Sequence, residues 1–223
     1  MRKREIARYI DHTVLGPSTS AEDVKRVCEE AKLYGFCAVC IPPTYVKLAK
    51  ELLRDTVVKV CTVAGFPHGQ HLPEVKAFEA KAAADQGADE VDMVINVAAL
   101  KEGNYELVYR DIRTVRDELD KLPRKIVLKV ILECALLSDE EKVAGAILAK
   151  AAGADFVKTS TGFGPGGATA EDVALLRKAV GQEMGVKAAG GIRDYETALR
   201  MIEAGATRIG ASRGVQIVQG APD

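Results

Sequence analysis

Eight short apolar runs, rich in valine and isoleucine and separated by longer segments of helical periodicity, limit what this chain can become more than any other feature. The runs fall at 10–15, 37–41, 57–63, 90–95, 126–132, 156–160, 185–188 and 208–210. Such alternation is the pattern of a parallel sheet wrapped by helices. A count of eight favours a closed α/β barrel, (β/α)8, over an open doubly wound sheet. The 223 residues match the roughly 200–250 that such a barrel needs, so positions 1–223 are expected to form a single domain.

The helices between the runs carry readable starts and stops. Ser20 with Asp23, Ser138 with Glu141, and Thr169 with Asp172 each place a hydroxyl cap three residues before a carboxylate, which satisfies orphan amides and sets negative charge at the positive helix end. Val24, Val27, Cys28 and Ala31 then repeat at helical spacing, a stripe able to pack on the sheet. Gly87, Gly153 and Gly205 each precede a run, where glycine ends a helix in a left-handed conformation.

Strand residues two apart share a face, and here the rule exposes a conflict. If Val127 and Ile131 point into the barrel, so does Lys129; Phe156 and Ser160 carry Lys158 inward; Asp92 shares a face with Val94; Lys187 lies on the next strand. Barrel interiors are normally filled by bulky apolar side chains, and unpaired buried charge costs several kcal/mol. In one reading Asp92 and Glu133 neutralise lysines in a salt-bridged polar layer. In the other, three lysines facing one well-placed aspartate leave excess positive charge, which together with desolvation favours a neutral amine. Only a neutral amine attacks a carbonyl. A free lysine, with a pKa of about 10.4, is neutral in less than about one part in a thousand at pH 7. Correcting that takes about 4–5 kcal/mol, within reach of burial plus one adjacent ammonium. The charge excess favours Schiff-base chemistry, although the pattern alone does not say which lysine is the nucleophile.

A second constellation follows the last strands. Gly162 comes after the Lys158 run, Gly190 and Gly191 after the Lys187 run, and Gly210-Ala211-Ser212-Arg213 closes the eighth. In barrels of this kind, loops after strands seven and eight and a short helix, here 214–218, often bind phosphate through exposed N–H groups. Singly these are ordinary glycine turns; together they favour a phosphorylated ligand.

Other signals narrow the field by exclusion. A formal charge of -1 offers no basic excess, so nucleic acid is not an expected partner. No apolar stretch suited to a signal peptide follows Met1-Arg2-Lys3-Arg4 and none spans a bilayer, so the expected location is the cytoplasm, with no membrane partner. Five scattered cysteines read as small core residues, and the Cys37–Cys40 spacing puts the pair on opposite strand faces, against redox chemistry. His68 and His71 lack the ligand set of a metal site, so no metal is expected. His12 reads as a strand-end hydrogen bonder.

The motifs also resemble a known family. Ile10-Asp11-His12-Thr13-Val14-Leu15, Val39-Cys40-Ile41-Pro42-Pro43, Gly65-Phe66-Pro67-His68-Gly69 and Glu90-Val91-Asp92-Met93-Val94-Ile95-Asn96 are joined by Lys158-Thr159-Ser160-Thr161-Gly162 and Lys187-Ala188-Ala189-Gly190-Gly191. In this order and spacing, over nearly the whole chain, they are similar to the deoxyribose-phosphate aldolases. The resemblance implies reversible condensation of acetaldehyde with D-glyceraldehyde 3-phosphate to 2-deoxy-D-ribose 5-phosphate, without metal or organic cofactor. It implies that Lys158 is the Schiff-base nucleophile, that Lys187 depresses its pKa and shares in proton transfer, and that Asp92 works with Lys187 through water. Lys129 corresponds to a further lysine of the substrate-binding site, electrostatic and orienting in role. Asp11, Cys40, Thr161, Gly162, Gly190, Gly191, Gly210 and Ser212 are implied to contact substrate, the last five through its phosphate. A homodimer or homotetramer is implied as well.

Two departures stand out. The best-known branch of the family has a phosphate-binding lysine after the Lys-Thr-Ser-Thr-Gly run, where this chain has Phe163; and the sequence ends at Asp223 without the tyrosine-ended tail of some relatives. Reduced preference for phosphorylated substrates is the expectation. The competing readings are a Schiff-base aldolase for a keto acid, for which no dedicated carboxylate-binding cluster is evident, and a catalytically silent sugar-phosphate binder.

Overall fold

The computed structural model describes residues 1–223. Strands β1 (Ile10–Thr13), β2 (Ala38–Cys40), β3 (Lys59–Ala64), β4 (Glu90–Val94), β5 (Val127–Ile131), β6 (Phe156–Lys158), β7 (Gly185–Ala189) and β8 (Arg208–Ala211) form a closed barrel in chain order. Every ladder is parallel, and β8 returns to β1, with Asp11 opposite Gly210 on one side and Ala38 on the other. The expected (β/α)8 architecture is therefore the one observed.

Helices α1 (Lys3–Ala7), α2 (Ala21–Tyr34), α3 (Val46–Leu52), α4 (Pro73–Asp85), α5 (Val97–Lys101), α6 (Tyr105–Asp120), α7 (Asp139–Ala151), α8 (Ala170–Val180), α9 (Tyr195–Glu203) and α10 (Gly214–Gln219) accompany the strands. None is long and apolar enough to cross a membrane.

Each apolar run holds one strand, with its ends adjusted. The third run starts too early: Val57 is 87% exposed and outside β3. The sixth run extends two residues past β6, although Thr159 still donates its N–H to Lys187 O at 3.1 Å.

Caps at Ser20 and Ser138 are reciprocal boxes with Asp23 and Glu141, as expected. Thr169 accepts from the Asp172 N–H, but Asp172 does not return the bond; its carboxylate reaches Lys142 of α7 at 2.7 Å. Gly87, Gly153 and Gly205 all stand at positive φ just past the ends of α4, α7 and α9. The α2 stripe Val24, Val27, Cys28 and Ala31 is buried; fully burying a valine side chain stabilises by about 1.5–3 kcal/mol.

Two apolar clusters result. The larger, of 56 buried residues, fills the layer between sheet and helices. The smaller, Ala38, Cys40, Cys61 and Val63, comes from β2 and β3 alone. A buried ion pair also braces the wall: Lys76 of α4 meets Asp111 of α6 at 2.6 Å and donates to Val94 O, the last residue of β4, at 2.9 Å. The strand that carries Asp92 is thereby tied to both covering helices.

Candidate active site

Barrel closure brings the inward-facing charges of six strands into one cluster. Asp92 is its hub. Its Oδ1 accepts from Lys129 Nζ at 2.7 Å, and its Oδ2 accepts from both Lys158 Nζ at 2.9 Å and Lys187 Nζ at 2.7 Å. The ladder explains the meeting, since Asp92 stands opposite Lys129 and Lys158 opposite Lys187.

Two carboxylates and a guanidinium outside the expected catalytic set complete the cluster. Asp11 Oδ2 lies 2.6 Å from Lys187 Nζ, and Glu90 Oε2 lies 2.5 Å from Lys129 Nζ. Arg208 bridges these two acids at 2.8 Å each and lies over the Phe156 ring, 5.2 Å from its centroid. Lys129, Lys158, Lys187 and Arg208 thus face Asp11, Glu90 and Asp92, leaving one positive charge in excess instead of the two expected from three lysines against one aspartate. Glu90 and Arg208 were visible in the sequence: each opens its run and lies in phase with the inward face. Glu133 does not neutralise lysines. It accepts from the Thr161 N–H and hydroxyl, and it holds a positive φ of 59° just past β5, a conformation that costs a non-glycine residue about 1–3 kcal/mol.

Opposing influences set the protonation states. Burial alone raises the Asp92 pKa, but Lys129, Lys158 and Lys187 together hold it well below the usual carboxylate range. Asp11 follows the same logic, with Lys187 and Arg208 overcoming burial. Burial alone lowers Lys187 and Lys129, but Asp11 and Asp92 outweigh it at Lys187, and Asp92, Cys61 and Glu90 at Lys129. Both lysines are held as ammonium ions.

A cavity of about 400 Å³ opens above Lys158. Among the residues expected to touch substrate, Thr161, Gly162, Gly190, Gly191, Gly210 and Ser212 line it. Gly190 shows why glycine is needed: its φ is 91°, and the Gly167 backbone lies 3.0 Å from where its Cβ would stand. The Thr161 hydroxyl is already engaged, donating to Glu133 and accepting from the Phe163 N–H at 3.0 Å. Phe163 borders the cavity and packs edge-on against Phe66, with centroids 5.6 Å apart.

Three of the residues expected to contact substrate lie apart from this cavity. Lys129, Asp11 and Cys40 have no exposed surface and do not line the cavity. Lys129 and Asp11 are engaged in the charged cluster beneath Lys158, and Cys40 belongs to the small apolar cluster of β2 and β3. The sequence expectation did not include Thr13 and Arg193, which line the cavity; Arg193 is legible as the cation two residues past the Gly190-Gly191 turn. His68 and His71 are exposed. The groups of side chains close enough to share a metal, Cys40–Cys61–Asp92 and Asp11–Cys61–Glu90, lie inside the barrel, where lysine ammonium groups already bind the carboxylates.

The family model for the DeoC/LacD aldolases matches residues 6–220. The chain belongs to that family. This aldolase is 61% identical to the deoxyribose-phosphate aldolase of Thermococcus kodakarensis over 225 residues, covering all of both chains. It is 58% identical to that of a Geobacillus species, over 98% of this chain and 96% of the relative. Among solved structures, a putative deoxyribose-phosphate aldolase from Coccidioides immitis aligns with a TM-score of 0.93 at 45% identity, over 98% of the aldolase and 86% of the other chain. The deoxyribose phosphate aldolase of Aeropyrum pernix, described as a unique tetramer, aligns at 0.90 and 36% identity, over 97% and 91%.

The cluster's titration has a defined sign. Asp92 and Asp11 have depressed folded values, so their stabilisation is complete above about pH 4 and is lost as pH falls through those values. Lys129 and Lys187 have raised values, so theirs is complete below about pH 10 and is lost as pH rises further. Urea midpoints of Asp92→Asn are expected to be lower than wild type at pH 7 and to fall less steeply below about pH 4. An acid limb as steep in the variant as in the wild type would show that the cluster does not govern it.

Proposed function

We propose that this aldolase reversibly cleaves 2-deoxy-D-ribose 5-phosphate to acetaldehyde and D-glyceraldehyde 3-phosphate through a Schiff base on Lys158. The observation that carries this reading is the singular position of Lys158. Of the three clustered lysines it alone lines the cavity, and it has a single carboxylate partner while Lys129 and Lys187 have several. Full-length relatives named deoxyribose-phosphate aldolase support the substrate. No metal or organic cofactor has a part in the scheme.

In the cleavage direction the neutral Lys158 amine adds to the C1 carbonyl of the open-chain sugar, and loss of water leaves a protonated imine. The C3 hydroxyl gives its proton to a base and the C2–C3 bond breaks, its electrons passing into the iminium. D-glyceraldehyde 3-phosphate departs and an enamine remains. Protonation at C2 and hydrolysis then release acetaldehyde and restore the amine. We assign proton transfer to Asp92 and Lys187 through water, since both lie at the Lys158 amine by way of Asp92 Oδ2. Lys129, Asp11, Glu90 and Arg208 orient this pair from below.

Gly162, Gly190, Gly191, Gly210 and Ser212 are assigned to the phosphate, fixing the aldehyde relative to the enamine. Arg193 contributes a cation on the same cavity, which offsets in part the lysine that Phe163 replaces. We place the enzyme in the cytoplasm, in deoxyribose phosphate catabolism, as one domain over 1–223 and as a homodimer or homotetramer, the last supported by the tetrameric Aeropyrum relative.

Borohydride reduction with acetaldehyde is expected to leave a two-carbon adduct on Lys158, found by peptide mass mapping, and Lys158→Ala to lose both adduct and turnover while staying folded. An adduct on another side chain, or none, discards the assignment. Lys187→Leu removes a cation that favours the neutral amine, so activity should fall and the pH–rate profile move to higher pH; a fall with no such movement refutes the role of Lys187 in activating the amine. Phe163→Lys should raise the ratio of kcat/KM for phosphorylated over free deoxyribose by roughly 1 kcal/mol in effect, about fivefold. An unchanged ratio shows that position 163 does not tune phosphate recognition.

A further inference from the structure

His12 lies on β1 between Asp11, which faces the charged cluster, and Thr13, which lines the cavity. Its own side chain points the other way, toward the helices, and is 1% exposed. In register it neighbours Ala211 of β8, and Gly210, Ala211 and Ser212 form one wall of the cavity. The ring is clamped. Phe36 packs on it with centroids 4.9 Å apart, and Nε2 lies 2.5 Å from Glu30 Oε2 of α2.

The other ring nitrogen is the anomaly. Nδ1 is buried without a hydrogen-bond partner. It stands against the start of α10: a Cβ on Gly214 would come 2.8 Å from Nδ1 and 3.1 Å from the Phe36 ring, so only glycine lets the helix approach this closely. The Ala211 backbone faces the same ring as a second hydrogen-bonding group beside Glu30.

We infer that His12 is a positioning residue for the phosphate-binding wall: anchored on Glu30 through Nε2, it sets its ring against Ala211 and Gly214 and fixes the Ala211–Gly214 segment from behind. The inference rests on the phosphate reading above. Burial lowers the His12 pKa and outweighs the Glu30 and Ala211 hydrogen bonds that raise it, which favours the neutral ring. His12 touches neither substrate nor the lysine cluster, so its effect is on binding of the phosphate end and not on bond cleavage.

Steady-state kinetics with 2-deoxyribose 5-phosphate and free 2-deoxyribose test this, with inorganic phosphate as a competitive inhibitor. His12→Leu should raise KM for the phosphorylated sugar and Ki for phosphate about tenfold, with kcat changed less than about twofold and free deoxyribose unaffected. His12→Asn, which can place a polar atom near the Nδ1 position, should restore part of the loss. Glu30→Gln, on the partly exposed α2 surface, should shift the same two constants in the same direction and serves if His12→Leu does not fold. Equal losses on both sugars, or an unchanged phosphate Ki in a folded variant, overturn the inference. A wild type that is not inhibited by phosphate overturns the phosphate reading as well, whereas inhibited wild type with equally inhibited variants overturns only the role of His12.

Discussion

One carboxylate governs the barrel interior. Asp92 receives three ammonium groups on two oxygens, and those groups come from β5, β6 and β7. Stability does not account for such a cluster. Deleting one member of a buried ionic group costs about 3–5 kcal/mol, but replacing the whole group by apolar side chains of similar volume is often neutral or stabilising. Charge of this density in a barrel core therefore calls for a chemical reason, and the cavity above Lys158 supplies one.

The charge count shows what the cluster accomplishes. Four cations face three carboxylates, and the cations differ in how many of those partners each one holds. Lys187 lies between Asp11 and Asp92, and Lys129 between Glu90 and Asp92, so a proton lost from either strips two anions of a partner. Lys158 has Asp92 as its one carboxylate partner, and Asp92 bonds two further ammonium ions. Asp11 and Asp92 outweigh burial at Lys187, and Asp92 and Glu90 do so at Lys129, so both neighbours are held in the charged form.

The period-two pattern made the outline of this site legible in the sequence, because it puts Asp92, Lys129, Lys158 and Lys187 on inward faces whatever the loops do. The same pattern held Glu90 and Arg208, two residues before Asp92 and Gly210, but their importance emerges only when β8 pairs with β1 and the end of one strand reaches across to another. Closure is a non-local fact. Depth was likewise hidden: Asp11 shares its inward face with the cavity residue Thr13, yet sits one layer lower, since residues two apart on a strand differ by about 6–7 Å along it. Glu133 was misread for a different reason. Its φ of 59° turns the chain out of strand geometry, so period two no longer says where its side chain points.

The glycine-rich wall proposed to hold phosphate is built differently from the lysine cluster, and Phe163 shows how. Gly162, Gly190 and Gly191 hold positive φ values, and the Ala168 N–H donates to Gly190 O at 3.0 Å, which binds the loop after β6 to the turn after β7. A wall made of linked backbone keeps its shape whatever side chain occupies position 163. Backbone N–H groups fix where an anion sits, whereas a neighbouring cation mainly sets how strongly it is held. If phosphate sits on this wall as proposed, phenylalanine in place of lysine changes the strength of its recognition more than its location. It also adds a ring that closes against Phe66 at the mouth, so the mouth gains apolar cover on the side where it lacks a cation, while Arg193 stands exposed on the cavity wall.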